Sequence, residues 1–224
     1  MDTLNNYEVI LFDLDGTLTD PKEGITKSVQ YALGKMDITE NNLDNLIPFI
    51  GPPLQVTFKE IFQFNEQQLE EALQFYRQRF IEKGMYENEV YEGIPELLHQ
   101  LKNAGYQLAI ATSKPTVFAE QILHHFKLHH YFDCIMGSEL DGTRTSKGAV
   151  IEEIIKQLKL ENIAQCVMIG DRSHDIIGAN ENDMPSIGVT FGYGSRQELE
   201  KAGATHIIDS VSEFKNLFSR ISHT

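Results

Sequence analysis

Apolar positions change their spacing twice along this chain. Residues 9–12 form an unbroken apolar run, Val-Ile-Leu-Phe, which predicts a strand buried on both faces, at 8–13. From residue 91 onward the two periods alternate. Ile94, Leu97, Leu98 and Leu101 have helical spacing, and Gly105 closes that helix. Residues 106–111 read as a strand, and Ala119, Ile122, Leu123 and Phe126 as the next helix. A strand at 132–136 precedes a strongly periodic helix carrying Val150, Ile151, Ile154, Ile155 and Leu158. Further strands are expected at 166–169, 186–190 and 206–208, with a helix near 174–183. Ser195 with Glu198, and Ser210 with Glu213, fit capping boxes opening the last two helices. This alternation predicts an α/β fold with a doubly wound parallel sheet that includes the first strand.

Residues 20–90 break the alternation. Ile25, Val29, Leu33 and Met36 form one helical stripe, and Leu69, Leu73, Tyr76 and Phe80 another. Between them lie a stiff turn, Pro48 to Pro53, and a helical stretch at 55–62. No strand is expected here. The pattern predicts a helical insertion at 20–90, placed to cover the C-terminal end of the first strand, with 1–19 and 91–224 forming the α/β core.

Bulk properties narrow the partners. The formal net charge of −14 disfavours nucleic acid and anionic membranes, which need clustered cations. No apolar run reaches the roughly 20 residues of a membrane span. The first eight residues have neither a basic nor an apolar leader region, so a cytoplasmic protein is expected. Cys134 and Cys166 sit beside apolar stretches without a CxxC pattern, as buried thiols do in a reducing compartment. Oligomeric state is not legible.

Candidate chemistry falls at strand ends, where ligands bind in open α/β sheets. Asp13 and Asp15, spaced i and i+2, follow the first strand and precede Gly16-Thr17. One is a candidate nucleophile or metal ligand, the other a candidate general acid/base; a plain Asp-Gly turn is the alternative. Thr112, Ser113 and Lys114 follow the next strand, where a hydroxyl and exposed amides before a helix suit an anion or a simple N-cap. Lys147 precedes an apolar helix, against the macrodipole, so it binds an anion or lies in a solvated loop. Gly170-Asp171-Arg-Ser-His-Asp175 places two acids four apart where a strand gives way to a helix. Asp171 is a candidate metal ligand, and Asp175 a group that orients it or binds through water. Of the histidines, 124, 125, 129 and 130 lack a third ligand of suitable spacing and are read as surface residues.

The set Asp-x-Asp, Thr, Lys and Gly-Asp-x-x-x-Asp, in that order, resembles the haloacid dehalogenase superfamily over nearly the whole chain. The insertion resembles its helical cap, and Gly-Asp-Arg-Ser-His-Asp-Ile-Ile-Gly-Ala followed by Phe-Gly-Tyr-Gly-Ser is similar to the branch of phosphoglycolate phosphatases and 5′-nucleotidases. The resemblance implies a Rossmann-like core and an Mg²⁺-dependent phosphatase of a small phosphorylated metabolite. It assigns Asp13 as nucleophile, forming an aspartyl-phosphate, and Asp15 as proton shuttle. It places Mg²⁺ on the Asp13 carboxylate, the Asp15 backbone carbonyl and Asp171, with Asp175 ligating directly or through water. Thr112, Ser113 and Lys147 would bind the phosphoryl oxygens, and the Leu14 amide could add a donor. The cap would hinge at 19–21 and near 91, with Lys22, Gly51 and Pro52 touching the leaving group. A sugar phosphomutase and a non-catalytic phosphometabolite-binding protein are the alternatives.

Overall fold

Val9–Phe12 form β1, with all four residues buried. Ile10 and Phe12 join one hydrophobic cluster, while Val9 and Leu11 join a second on the opposite face. A continuous apolar run is what a strand covered on both sides requires. The computed structural model describes residues 7–141 and 143–218.

The remaining elements follow in chain order: β2 (Thr19–Asp20), α1 (Lys22–Lys35), α2 (Leu54–Phe62), α3 (Glu66–Glu82), β3 (Glu89–Val90), α4 (Ile94–Asn103), β4 (Gln107–Pro115), α5 (Thr116–His125), β5 (Cys134–Ser138), α6 (Lys147–Leu158), β6 (Cys166–Gly170), α7 (Ser173–Asn180), β7 (Ser186–Val189), α8 (Arg196–Ala202), β8 (His206–Ile208) and α9 (Phe214–Leu217). The main sheet has the order β5-β4-β1-β6-β7-β8, and every pairing is parallel. The fold is a Rossmann-like α/β fold with a helical cap. The chain leaves β1 toward β4 on one side and β6 on the other, which makes the end of β1 a topological switch point.

The cap consists of α1, α2, α3 and the 3₁₀ turn Leu43–Phe49. Ile25, Val29 and Leu33 on α1 and Leu69, Tyr76 and Phe80 on α3 are buried, as the stripes predict. Aromatic rings join the turn to α2: Phe49 meets Phe58 at 4.7 Å, and Phe58 stacks on Phe64 at 5.7 Å.

Three expectations are corrected. A strand does occur at each limit of the insertion: Thr19 pairs with Val90 and Asp20 with Glu89, antiparallel. Two-residue strands show no period in a sequence, so tertiary pairing alone reveals them. Neither expected capping box closes. Ser195 accepts from the Glu198 N–H at 3.1 Å, but the Glu198 carboxylate turns instead to Arg172 and the Ser173 N–H. Glu213 accepts from the Asp209 N–H and the Ser210 hydroxyl, and Ser210 caps nothing. Finally, β4 runs on to Pro115, so Thr112 and Ser113 lie within a strand rather than at a helix start. Cys134 and Cys166 are buried free thiols, and burial pushes Cys166 up to about 11. No described helix is long and apolar enough to cross a membrane.

Candidate active site

Register assembles the site. Phe12 of β1 aligns with Ile110 of β4 and Ile169 of β6. The residues just beyond these partners therefore gather at one edge of the sheet: Asp13 and Asp15 past the end of β1, Thr112 to Lys114 in the last part of β4, and Asp171 past the end of β6. Asp13, Asp171 and Asp175 are buried, and each offers a carboxylate oxygen within 4.8 Å of the others. It is the one such grouping among the described residues.

Lys147 explains its own awkward position. It is the first residue of α6, after Ser146, whose hydroxyl accepts from the Ala149 N–H at 3.2 Å. Its buried ammonium lies 2.9 Å from Asp13 Oδ1 and 2.8 Å from Asp175 Oδ1, and donates to the Ala111 carbonyl at 2.7 Å. Gly178 permits this approach: a Cβ there would meet the Lys147 side chain at 2.8 Å. Burial disfavours the charge, yet the Asp13 and Asp175 carboxylates hold Lys147 above the ordinary lysine range.

The acids respond differently. Burial, then the Asp175 and Asp13 charges, drives Asp171 well above the usual carboxylate range. Burial raises Asp175 to about 6 against the pull of Lys147. Asp171 Oδ2 accepts from the Tyr193 N–H at 2.7 Å, and Asp175 Oδ2 from the Arg172 N–H at 3.0 Å. Burial also raises Asp15, with the Lys114 ammonium opposing it 2.9 Å from Oδ2. Four buried carboxylates thus face two buried ammonium groups, Lys114 and Lys147. Such a donor set, all hard oxygen and short of positive charge, fits a small divalent cation.

Gly16 is required where it stands. Its φ is +83°, and a Cβ would lie 2.3 Å from Asp171 Oδ2. Gly16→Ala should lower kcat at least about tenfold and stability by about 1–3 kcal/mol. Steady-state kinetics and urea unfolding check both.

The cap roofs a cleft with Asp15 and Lys114 in its wall. Ser113, Gly51 and Pro52 line it as well, beside Phe49, Leu54, Tyr76, Phe80 and Phe118. Lys22 does not. It pairs with Asp44 at 2.7 Å and lines a separate surface depression with Asp20 and Glu87. A cation in the first turn of α1, with a carboxylate in reach, is drawn outward rather than to the cavity. Thr112 is buried, and its hydroxyl accepts from the Lys114 N–H at 3.2 Å. The histidines stay apart from the acids: His124 stacks on His129 at 3.8 Å.

Several residues were not singled out by sequence reasoning. Lys114 was named with Thr112 and Ser113 but given no role of its own, although it lies i+2 from Thr112 in a strand. Arg172 had none: it leaves the core to donate to the Ile50 carbonyl of the cap at 2.7 Å, anchored on Glu198 at 3.0 Å. Arg77 of α3 crosses the other way, donating to the Leu140 carbonyl at 3.1 Å. Beside the β2–β3 pair, the Tyr193 hydroxyl donates to Asp20.

Comparison with known proteins identifies the family. Residues 10–189 match the family model described as haloacid dehalogenase-like hydrolase. A 5′-nucleotidase of Pseudomonas aeruginosa is 51% identical over 219 residues, covering 96% of this chain and 97% of its own. The tyrosine-protein kinase PtkA of Mycobacterium tuberculosis is 36% identical, covering 92% of this chain and 69% of its own. A phosphoglycolate phosphatase of Colwellia psychrerythraea is 28% identical, covering 94% and 96%. The crystal structure of a predicted phosphatase from Clostridium acetobutylicum superposes with a TM-score of 0.91 at 52% identity, covering 94% of this chain and 97% of that one.

Proposed function

Because the chain belongs to the haloacid dehalogenase-like hydrolase family, and is an enzyme of its phosphatase type, we propose that it hydrolyses a small phosphomonoester by way of an acyl phosphate on Asp13. The observation that carries this reading is the buried meeting of Asp13, Asp171 and Asp175 around Lys147 at the end of β1. Asp13 attacks phosphorus, and the bond to the alcohol oxygen breaks. Asp15, in the cavity wall, gives that oxygen a proton and later takes one from the attacking water. Lys147 neutralises charge on the transferring group, where it is spread over the equatorial oxygens. Thr112 and Ser113 add donors on the β4 side.

Asp13, Asp171 and, directly or through water, Asp175 would hold Mg²⁺, with the Asp15 carbonyl. The ion would neutralise charge on nucleophile and phosphate so that one anion can approach another. Arg172 and Arg77 tie cap to core, and such ties favour a closed site from which water is kept out.

The cavity favours a leaving group with a flat apolar part. Phe49, Tyr76, Phe80 and Phe118 line it, while its two cations are engaged, Lys114 by Asp15 and Arg77 by the Leu140 carbonyl. A nucleoside fits this lining better than the carboxylate of glycolate, which would need a cation of its own. The reading includes a cytoplasmic setting, in which both free thiols stay reduced.

The test is release of inorganic phosphate, without any nucleoside triphosphate, from nucleoside 5′-monophosphates and from 2-phosphoglycolate, with Mg²⁺ and with EDTA. Nucleotides should exceed phosphoglycolate at least about tenfold in kcat/KM, and EDTA should abolish both. A preference for phosphoglycolate removes the substrate assignment. No phosphate release at all removes the phosphatase reading.

A further inference from the structure

Lys114 carries a charge that the hydrolysis described above does not use. It is nearly buried, 9% exposed, and its ammonium lies 2.9 Å from Asp15 Oδ2. The other oxygen, Asp15 Oδ1, is buried without a hydrogen-bond partner. The two oxygens of one carboxylate are therefore unequal. One is held by a cation, and the other is free of protein partners while its residue lines the cavity.

The cap completes this arrangement. Phe80 of α3 sets its ring 4.5 Å from the Lys114 ammonium. Phe80 stacks on Tyr76 at 5.3 Å and meets Phe118 of α5 at 5.7 Å. The Phe80 ring thus covers one side of the ammonium. α3 supplies this cover and α5 backs it, so it exists only with cap and core together.

Resting on the proposed phosphatase reading, we infer that Lys114 is the positioning residue for Asp15: it fixes Oδ2 so that Oδ1 faces the leaving-group oxygen, and Phe80 seals the pair when the cap is closed. In the first transfer the Asp13 oxygen bonds phosphorus. The phosphorus–alcohol bond breaks with its electron pair on the alcohol oxygen, and the Asp15 proton passes to it. In the second, water gives its proton back to Asp15 as its oxygen bonds phosphorus, and the electron pair of the broken bond returns to Asp13. Lys114 takes part in neither proton transfer.

This role depends on the leaving group. An alkoxide must be protonated as it leaves, whereas p-nitrophenolate departs without help. The measurement is kcat/KM, which reports steps up to the first irreversible one and omits hydrolysis of the intermediate. Wild type, Lys114→Met, Lys114→Arg and Lys114→Gln are compared on adenosine 5′-monophosphate and p-nitrophenyl phosphate, with circular dichroism as the folding control. Lys114→Met should lose about 10²-fold or more on the nucleotide and less than about tenfold on the aryl phosphate. Lys114→Arg should regain part of the nucleotide loss. Lys114→Gln should show the same bias, smaller, and supplies the answer if Lys114→Met does not fold. Equal losses on both substrates overturn the inference while leaving the phosphatase reading in place. Wild type inactive on both overturns that reading, and this inference with it.

Discussion

Asp13→Asn should abolish turnover, by at least about 10⁴-fold, while the protein remains folded. The amide is nearly the same size as the carboxylate but is no nucleophile toward phosphorus. The packing of β1 is untouched, because Asp13 lies one residue beyond Phe12, the last residue of the strand. Stability should hold or rise slightly. The substitution takes one negative charge from a buried group that already contains Asp171 and Asp175, and Lys147 retains Asp175 at 2.8 Å. A p-nitrophenyl phosphate assay and a thermal melt check the two halves separately. Retained turnover would exclude Asp13 as the nucleophile.

Lys147→Met carries the largest expected cost to stability. Its ammonium is the buried cation between Asp13 and Asp175. Removing one partner of a buried ion pair costs about 3–5 kcal/mol, because the remaining charge stays desolvated. Here two carboxylates are left, and the Ala111 carbonyl loses its donor as well. Urea unfolding should report a loss in that range, and activity should fall at least about 10²-fold. A double variant, Lys147→Met with Asp175→Asn, should recover part of the stability and none of the activity. Equal stability in wild type and Lys147→Met would mean that these charges are solvated, contrary to the burial seen here.

The sheet strands were legible because each is a short apolar run between turn residues, and burial on both faces permits such a run without alternation. The stripes of α1 and α3 were legible from helical spacing. The β2–β3 pair was not, since two residues carry no period and their pairing joins positions some seventy apart. The capping boxes failed for a related reason. Ser195 and Glu198 have the right spacing, but Glu198 is worth more to Arg172, whose guanidinium lies 3.0 Å away across the fold. Burial raises Glu198, yet the Ser173 N–H and Arg172 leave it lowered overall.

The same division runs through the candidate site. Asp13, Asp15, Asp171 and Lys147 stood out as candidates because strand ends in an open α/β sheet face one crevice, and their order along the chain carries the family resemblance. Lys22 was misplaced because a first-turn lysine can turn either way, and only the position of Asp44 decides it. Lys114, Arg172 and Arg77 were passed over because their partners lie on other elements.

The sequence by itself therefore determined the core architecture, the existence of a helical insertion and the residues at the strand ends. Those depend on local spacing and on the parallel sheet that the spacing implies. The tertiary structure alone decided which charges meet: Lys147 with Asp13 and Asp175, Lys114 with Asp15 beneath Phe80, and the two arginines across the cap seam. The physical reason is range. Periodicity records which face of an element is buried, whereas pairing of buried charges depends on distances of about 3 Å between segments far apart in the chain, set only when the elements pack.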